Sequence, residues 1–211
     1  STQSRSSAAS DVYKSQIAVR ADTSAAPSSR WYTGSGIYRR VRLIETDDVH
    51  IPQGGAYVRA TAISDAQATI AVTTDVQNDA GAATDIKVEL LLTDPDGREV
   101  ARTVTPATSV AAGRTINLPA EIALPRPHRW DINDPALYRA SIRVLAADGT
   151  LLDNEDVRFG LREARFDPAT GFWLNGRNFK LKGVALHQDG GAVGAAVPLA
   201  VWRQRAVSYT H

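Results

Sequence analysis

Apolar and polar positions alternate in short runs between about residues 46 and 163, and turn sequences such as DPDG and ADG separate these runs. A period of two is typical of strands that bury one face of a sheet. The predicted strands are Ala56–Ala62, Thr69–Gln77, Ile86–Thr93, Glu99–Val104, Arg114–Ala123, Leu137–Ala146 and Leu151–Gly160. Short strands spaced about 8–12 residues apart predict two packed antiparallel sheets, and no helix is predicted before residue 190.

Shorter patterns precede the predicted sheets. The first ten residues are small and polar, with five serines, and predict a loop. Alternation in IAVRA, at 17–21, and in IYRRVRL, at 37–43, predicts two strands joined by a turn-rich connection. We therefore expect β-structure on the amino-terminal side of the two sheets as well.

The pattern changes after residue 163. The segment GFWLNGRNFK predicts a hairpin that turns at Asn175 and Gly176, because an Asn-Gly pair favours the two-residue loops of hairpins. The apolar run LKGVAL, at 181–186, predicts a strand, and Pro198 fits the first turn of a helix. The predicted buried face of this helix consists of Leu199, Val201, Trp202 and Ala206. A strand followed by a helix predicts the start of a different architecture.

Composition and charge argue against several kinds of function. With 24 basic and 23 acidic residues the net charge is +1, so nothing favours nucleic acid or an anionic membrane as a partner. The chain has no cysteine, no apolar run long enough to span a membrane, and no GxGxxG in its segment GGAVGAA. The histidines lack metal-ligand spacing: His50, His128, His187 and His211. We predict no cofactor and no metal, whereas compartment and oligomeric state are not specified.

The carboxylates form no recognisable catalytic pair. Glycoside hydrolysis requires two carboxyl groups facing each other across one sugar, about 5–5.5 Å apart for retention or about 6.5–9.5 Å for inversion. The glutamates fall in predicted turns or on predicted strand faces: Glu45, Glu89, Glu99, Glu121, Glu155 and Glu163. The sequence therefore predicts no catalytic residue in this chain.

Four segments, taken together and in order, resemble glycoside hydrolase family 2, the family of β-galactosidases and β-glucuronidases. The segments are RWYTGSGIYRRVRL at 30–43, RWDINDPALYRA at 129–140, VRFGLREARFD at 157–167 and GFWLNGRNFKLKGVALHQDGGAVGAA at 171–196. The resemblance implies a mainly β chain in three parts. These are the last strands of a sugar-binding-like jelly roll at 1–45, an immunoglobulin-like β-sandwich at 46–163, and the first strand and helix of a (β/α)8 barrel at 164–211.

The resemblance also implies substrate-binding residues. Family members carry a histidine, and often an aspartate, after a Gly-Val strand, where both face the sugar of the first subsite. The segment KGVALHQDGG matches at His187 and Asp189, whereas Ala185 stands where an asparagine is usual. Arg30 and Trp31 are implied at the rim of the same pocket. The residues expected to be structural are Trp130, Pro135, Leu137 and Tyr138, with the aromatic rings covering the sandwich core.

In this family, hydrolysis retains configuration and uses two glutamates that lie later in the barrel than this sequence reaches. The expected function is the non-catalytic portion of an exo-acting β-glycosidase, a β-galactosidase by its motifs, whose full-length form binds a carbohydrate substrate. The 211-residue chain is expected to be inactive by itself. The alternatives are a stand-alone immunoglobulin-like module that binds carbohydrate or protein, and a truncated product without function. Residues 171–207 favour the first reading, because a self-sufficient sandwich needs no barrel strand or helix.

Overall fold

The structure is a computed structural model that describes residues 18–20, 37, 39–185 and 190–210. The strands, in chain order, are β1 Val49–His50, β2 Ala56–Ile63, β3 Gln67–Asn78, β4 Thr84–Thr93, β5 Glu99–Val104, β6 Thr108–Val110, β7 Arg114–Pro125, β8 Tyr138–Ala146, β9 Leu151–Phe159, β10 Ala164–Asp167, β11 Gly171–Leu174 and β12 Arg177–Phe179. A 3₁₀ turn spans Gly191–Val193, and the helix α1 spans Leu199–Thr210. The described chain is therefore mainly β, as predicted.

The first sheet is built around β3, whose side chains alternate between buried and partly exposed positions. β3 pairs antiparallel with β7 along its whole length, from Gln67 opposite Pro125 to Asn78 opposite Arg114. β2 and the short β1 pair with the other side of β3. Because successive side chains point to opposite faces, alternate residues of β3 and β7 form one apolar face.

The second sheet is built around β4. β5 and β6 pair with one side of β4, β8 pairs with the other side, and β9 pairs with β8 as the edge strand. The alternate residues Ile86, Val88, Leu90 and Leu92 of β4 are at most 2% exposed. This period of two gives the second sheet an apolar face of its own.

One apolar cluster fills the space between the two sheets. Its buried members are Val49, Ile51, Ala68, Ile70, Val72, Val76, Ile86, Val88, Leu90, Leu92, Val110, Ile122, Leu124, Tyr138, Ala140, Ile142, Val144 and Leu161. Both sheets contribute, and the chain crosses from one sheet to the other three times, between β3 and β4, between β6 and β7 and between β7 and β8. Two antiparallel sheets packed in this way form the predicted immunoglobulin-like β-sandwich.

All seven strands predicted for the sandwich are present, as β2 to β5 and β7 to β9. β1, β6 and β10 were not predicted, because segments of two to four residues are too short to show an alternating pattern. Three strand predictions are wrong for the described residues, since 18–20, then 37 and 39–43, and finally 181–185 are not strands. Alternation of apolar and polar residues decides which face of a strand can be buried, but a strand also needs a hydrogen-bonding neighbour. No described strand pairs with these segments.

A separate three-stranded sheet follows the sandwich, with β11 between β10 and β12. Leu174 and Arg177 are paired across β11 and β12, so Asn175 and Gly176 form the two-residue loop between them. The φ angles of these two residues are 48° and 77°, both in the left-handed region. The predicted Asn-Gly hairpin is confirmed, with the backbone that such loops require.

The helix α1 begins directly after Pro198, whose carbonyl oxygen accepts hydrogen bonds from the amides of Val201 and Trp202. The prediction of its buried face is half right. Val201 and Trp202 are partly buried, but Leu199 is 64% exposed and Ala206 is exposed. The guanidinium of Arg205, on the same helix, lies 5.3 Å from the centroid of the Trp202 ring.

The chain divides into two compact units. One unit is Ile44–Lys182, which contains both sandwich sheets and the β10 to β12 sheet, and the other takes the residues on either side of it. Among the described helices, none has the length and apolar character needed to cross a membrane.

Candidate functional site

The four residues predicted to bind substrate, Arg30, Trp31, His187 and Asp189, all lie outside the described residues. Their roles and mutual arrangement therefore stay predictions. The part of the chain that the structure describes holds no group of three or more histidine, aspartate or glutamate side chains arranged for a metal ion.

The described loop that follows Asp189 is held in place at Gly190. The amide of Gly190 donates to the carbonyl of Gly194 at 2.8 Å, and its own carbonyl accepts from Arg205 Nη2 of α1 at 3.0 Å. A Cβ atom added at Gly190 would come within 2.6 Å of Val193 and Val197 side-chain carbons. Only glycine fits this position without a shift of its neighbours.

Three of the segments that carry the family resemblance meet at one place, which we call the Trp130 junction: Trp130, Asp131, Leu161, Glu163, Asn175 and Arg177. The Trp130 amide donates to the Leu161 carbonyl, and the Trp130 carbonyl accepts from Asn175 Nδ2, both at 2.9 Å. Asn175 also exchanges hydrogen bonds with Glu163, from its amide to the Glu163 carbonyl at 2.9 Å and from the Glu163 amide to its Oδ1 at 3.0 Å. The junction thus ties the β10 to β12 sheet to the sandwich.

Packing at the Trp130 junction is close. A Cβ atom added at Gly160 would come 3.0 Å from Trp130 Cβ, so a larger residue would fit only if Trp130 moved by a few tenths of an ångström. The guanidinium of Arg162 lies 5.0 Å from the Trp130 ring centroid. Leu161 is fully buried and Leu174 is 2% exposed. Trp130 is therefore structural as predicted, although it packs at this junction rather than over the sandwich core.

An ion pair between Arg177 and Asp131 closes the Trp130 junction on its exposed side. The hydrogen bond from Arg177, helped by backbone amides, holds the pKa of Asp131 below its ordinary value. The paired carboxylate is thus committed to a structural contact.

Tyr138 connects the same region to the core. Its ring is 4% exposed and lies 5.9 Å from that of Phe159, and its hydroxyl oxygen accepts from the His128 amide at 2.8 Å. The expectation that Tyr138 covers the core is confirmed. Leu137 and Pro135 are exposed, Leu137 by 43%, because β8 begins at Tyr138 and alternation turns its neighbour outwards.

Glu89 is the buried charged residue of the described chain, with 7% exposure. It lies on the outer face of β4, where Oε1 accepts from Arg102 of β5 at 2.8 Å and Oε2 accepts from Arg143 of β8 at 2.5 Å. Arg102 also forms two hydrogen bonds to Glu99, which lower the pKa of Glu99. We call the contacts of Glu89 with Arg102 and Arg143 the Glu89 clip. The clip joins β5, β4 and β8, and it occupies both carboxylate oxygens of Glu89.

An open cleft of about 1070 Å³ lies at one end of the sandwich, and we call it the end cleft. It is lined by Thr93, Asp94, Pro95, Asp96, Gly97, Val100, Leu124, Pro125, Arg126, His128, Asp134, Pro135, Ala136, Leu137, Tyr138, Arg139, Ser141 and Arg158. No pattern along the chain indicated this cleft, because its residues come from four separate segments that alternation alone does not bring together.

Comparisons with known proteins agree with the motifs. The model of the family "Glycosyl hydrolases family 2" matches residues 49–162, which is more than half of the chain. A β-galactosidase of Bacteroides ovatus is 35% identical over 86% of this chain and 21% of its own length. A putative β-glucuronidase of Formosa agariphila is 32% identical over 93% of this chain and 18% of its own length.

The fold comparison gives the same result. The crystal structure of a glycosyl hydrolase family 2 member from Bacteroides cellulosilyticus superposes with a TM-score of 0.74 at 27% identity, over 86% of this chain and 25% of that one. This chain spans about a fifth of the length of the curated relatives it matches. The matched sandwich, its topology and the motifs at the Trp130 junction lead to one conclusion: the chain belongs to glycosyl hydrolases family 2.

Proposed function

We propose that this chain is the non-catalytic portion of a retaining exo-β-glycosidase that acts on β-galactosides. In this proposal the sandwich links the end of a jelly roll, at 1–45, to a (β/α)8 barrel that starts at 164. The observation that carries the proposal is the family match over the sandwich, together with relatives named as β-galactosidase and β-glucuronidase. The two glutamates of a retaining mechanism are assigned to the barrel beyond residue 211.

The contacts of the described carboxylates support an inactive chain. Both oxygens of Glu89 are bonded to arginines, as described above. In the end cleft, Asp94 accepts from the amides of Asp96 and Arg98, and Asp134 is bonded to His128. Burial, and then the charge of Asp153, raise the pKa of Glu155, but this residue lies on β9 opposite Ile142 and does not line the cleft. A general acid paired with a nucleophile across a sugar is not assembled from these groups.

Within the full-length enzyme, His187 and Asp189 are proposed to hydrogen-bond sugar hydroxyls, and Arg30 and Trp31 to line the rim of the pocket. Neutral sugars need directed donors and acceptors of this kind. Gly190, which directly follows Asp189 in the chain, is hydrogen-bonded to Arg205 of α1.

The first test compares the purified 211-residue chain with a longer product of the same gene on nitrophenyl β-galactoside and nitrophenyl β-glucuronide. We expect no hydrolysis by the short chain and hydrolysis of the galactoside, with retained configuration by NMR, by the longer product. Hydrolysis by the short chain would overturn the proposal of missing glutamates. Preference for the glucuronide would overturn the assignment of the sugar.

The second test addresses the substrate contacts in the longer product. His187→Ala and Asp189→Ala are each expected to lower kcat/KM by about tenfold or more, the cost of a lost directed hydrogen bond. His50→Ala is the matched control, because His50 lies on the sandwich and bonds the carbonyl of Asp47. Unchanged kinetics in both site variants would contradict the assignment.

A further inference from the structure

The three-stranded sheet β10 to β12 carries a row of phenyl rings on one face. Phe166 lies directly opposite Phe172 across β10 and β11, and Phe172 lies opposite Phe179 across β11 and β12, so all three side chains share that face. We call Phe166, Phe172 and Phe179 the aromatic face. The ring centroids of Phe166 and Phe172 are 5.0 Å apart, so neighbouring rings contact each other along the row.

The opposite face of the same sheet is completed by contacts of its own. The guanidinium of Arg165 lies 4.9 Å from the Trp173 ring centroid, and Trp173 Nε1 donates to Thr170 Oγ1 at 2.8 Å. Asn178 Nδ2 donates to the carbonyl of Thr170 at 2.7 Å. The polar groups of this face thus find partners within the sheet, and the face is suited to lie against water.

The aromatic face is covered at one end only. Leu174, two residues after Phe172 on β11 and therefore on the same face, is 2% exposed, whereas Phe166 is 73% exposed. Phe172 and Phe179 are partly buried, and the guanidinium of Arg177 lies 5.4 Å from the Phe179 ring centroid. Burial of this face thus begins beside the Trp130 junction and ends before the outer strand β10.

An uncovered row of phenyl rings is unfavourable in water, because removal of apolar surface from water is the main favourable contribution to folding and association. A sheet with one apolar face is stabilised when that face packs against another layer. The described residues provide no such layer over Phe166. An exposed apolar surface that continues a packed interface is typical of a surface that docks another part of a protein.

Two observations indicate what docks on the aromatic face. The chain spans only 21% and 18% of the lengths of the two curated relatives named above, so most of the polypeptide of such a protein lies outside this chain. The chain also leaves the sheet at Phe179, on the aromatic face itself, and consecutive elements of a polypeptide usually pack as neighbours. The polypeptide that follows the sheet is therefore the occupant that connectivity favours.

We infer that the aromatic face docks the (β/α)8 barrel, through the part of the polypeptide beyond residue 211. The inference rests on the proposed function, which assigns a barrel to the polypeptide that follows the sandwich. The occupant presents apolar side chains, which bury Phe166 and complete the layer that begins at Leu174. In the full-length protein an apolar contact would then join the sandwich to the barrel, in addition to the covalent connection.

The first test identifies the occupant directly. The photoreactive residue p-benzoylphenylalanine is placed at position 166 of the longer gene product, and the peptides that it cross-links on irradiation are mapped by mass spectrometry. We expect the cross-links to lie on peptides beyond residue 211. The same residue at position 165, on the opposite face, is the matched control and should give about fivefold fewer of these cross-links. Equal yields from the two positions would overturn the inference, as would cross-links from position 166 to residues before Val49, to a second copy of the chain, or to no peptide.

The second test compares stability in the two chains. Phe166→Ser removes the contact with Phe172 from the 211-residue chain and from the longer product alike. The thermal midpoint of the longer product is expected to fall by about 3 °C more than that of the short chain, because only the longer product loses a buried ring. Arg165→Ser is the control and should shift both midpoints by the same amount. Equal shifts of the two midpoints for Phe166→Ser would contradict docking on this face.

Neither measurement uses hydrolysis, so the two proposals fail separately. Cross-links beyond residue 211 in a longer product that cleaves no glycoside would support docking and overturn only the proposed function. An active longer product without such cross-links would overturn docking and leave the proposed function in place.

Discussion

At the scale of single residues, Asn175 combines two demands that few side chains meet. Its backbone has a φ of 48°, and its side chain bonds both the Trp130 carbonyl and the Glu163 amide. Asparagine tolerates the left-handed region better than other residues with a side chain, because its short amide can bond locally. The position is therefore specified by conformation and by hydrogen bonding together.

Asn175→Ala should lower the free energy of unfolding by about 2–4 kcal/mol, from two lost hydrogen bonds and a strained backbone. Asn175→Gly should cost less, because it loses the bonds but keeps the backbone free of strain. Urea unfolding of both variants measures the difference. Asn133→Ala, in an exposed loop, is the control and should change stability by less than about 0.5 kcal/mol. Equal losses in the alanine and glycine variants would show that backbone strain contributes nothing.

Glu155 gives a pH-dependent prediction. Burial and the neighbouring Asp153 raise its pKa above the ordinary value of 4.5, so the folded chain binds this proton more tightly than the unfolded chain. Its contribution to stability is therefore favourable below pH 4.5 and is lost as pH rises through the folded pKa. Glu155→Gln should raise the urea midpoint at pH 7 and leave it nearly unchanged at about pH 3.5. Glu121→Gln, on the exposed surface of β7, is the control variant.

The residues at the Trp130 junction show what a sequence can and cannot specify at this scale. The Asn-Gly loop was predictable, because backbone dihedrals depend on local residue identity. The Asn175 contact with Trp130, 45 positions away, was not predictable from spacing. Nor was the pairing of Asp131 with Arg177, because the sequence does not state which exposed charges will meet.

At the scale of elements, the strands of the sandwich were predicted because each is long enough to show several alternations. β3 alternates over twelve residues, whereas β1 has two residues and depends entirely on its partner. The runs at 37–43 and 181–186 carry the same signal as true strands, yet their described residues are unpaired. Hydrophobic patterning thus indicates which face can be buried, and only the fold decides whether a strand forms.

The Glu89 clip makes a prediction at this scale, because it joins β5, β4 and β8. Glu89→Ala should lower the free energy of unfolding by about 2–3 kcal/mol, since two arginines lose a mostly buried partner and repel each other. The arginines are 46% and 38% exposed, which keeps the loss below that of a fully buried pair. Unfolding in urea measures this loss in the free energy of unfolding, and Glu121→Ala is the exposed control. A loss as small as that of the control would mean that water replaces the clip at no cost.

At the scale of the whole molecule, the division into units predicts independent folding of residues 44–182. All buried members of the core cluster lie between Val49 and Leu161, so this shortened chain keeps the complete core. We expect cooperative urea unfolding at a midpoint close to that of the 211-residue chain. A broad, non-cooperative transition would show that the core depends on residues outside this unit.

A chain shortened further, to residues 44–162, is the matched comparison. It keeps the core cluster but loses buried Leu174 and the Asn175 bonds. The expected loss is about 3–5 kcal/mol, from one buried leucine and several hydrogen bonds. Equal stability of the two shortened chains would mean that the Trp130 junction orders the hairpin without stabilising the sandwich.

The Asn175 side chain, which precedes a glycine, is also a site where deamidation can occur. In a mobile peptide, the glycine amide nitrogen attacks the asparagine side-chain carbonyl carbon, ammonia leaves, and water opens the cyclic imide to aspartate or isoaspartate. Here both ends of the asparagine amide are bonded, to the Trp130 carbonyl and the Glu163 amide, so the attack requires that the side chain first be released. Deamidation at Asn175, followed by mass spectrometry during storage, should therefore be slow in the intact chain and faster in Arg177→Ala. Deamidation replaces the Asn175 Nδ2 donor by a carboxylate oxygen that faces the Trp130 carbonyl oxygen. The hydrogen bond between them could not form again, so deamidation of this one side chain would leave the Trp130 junction open.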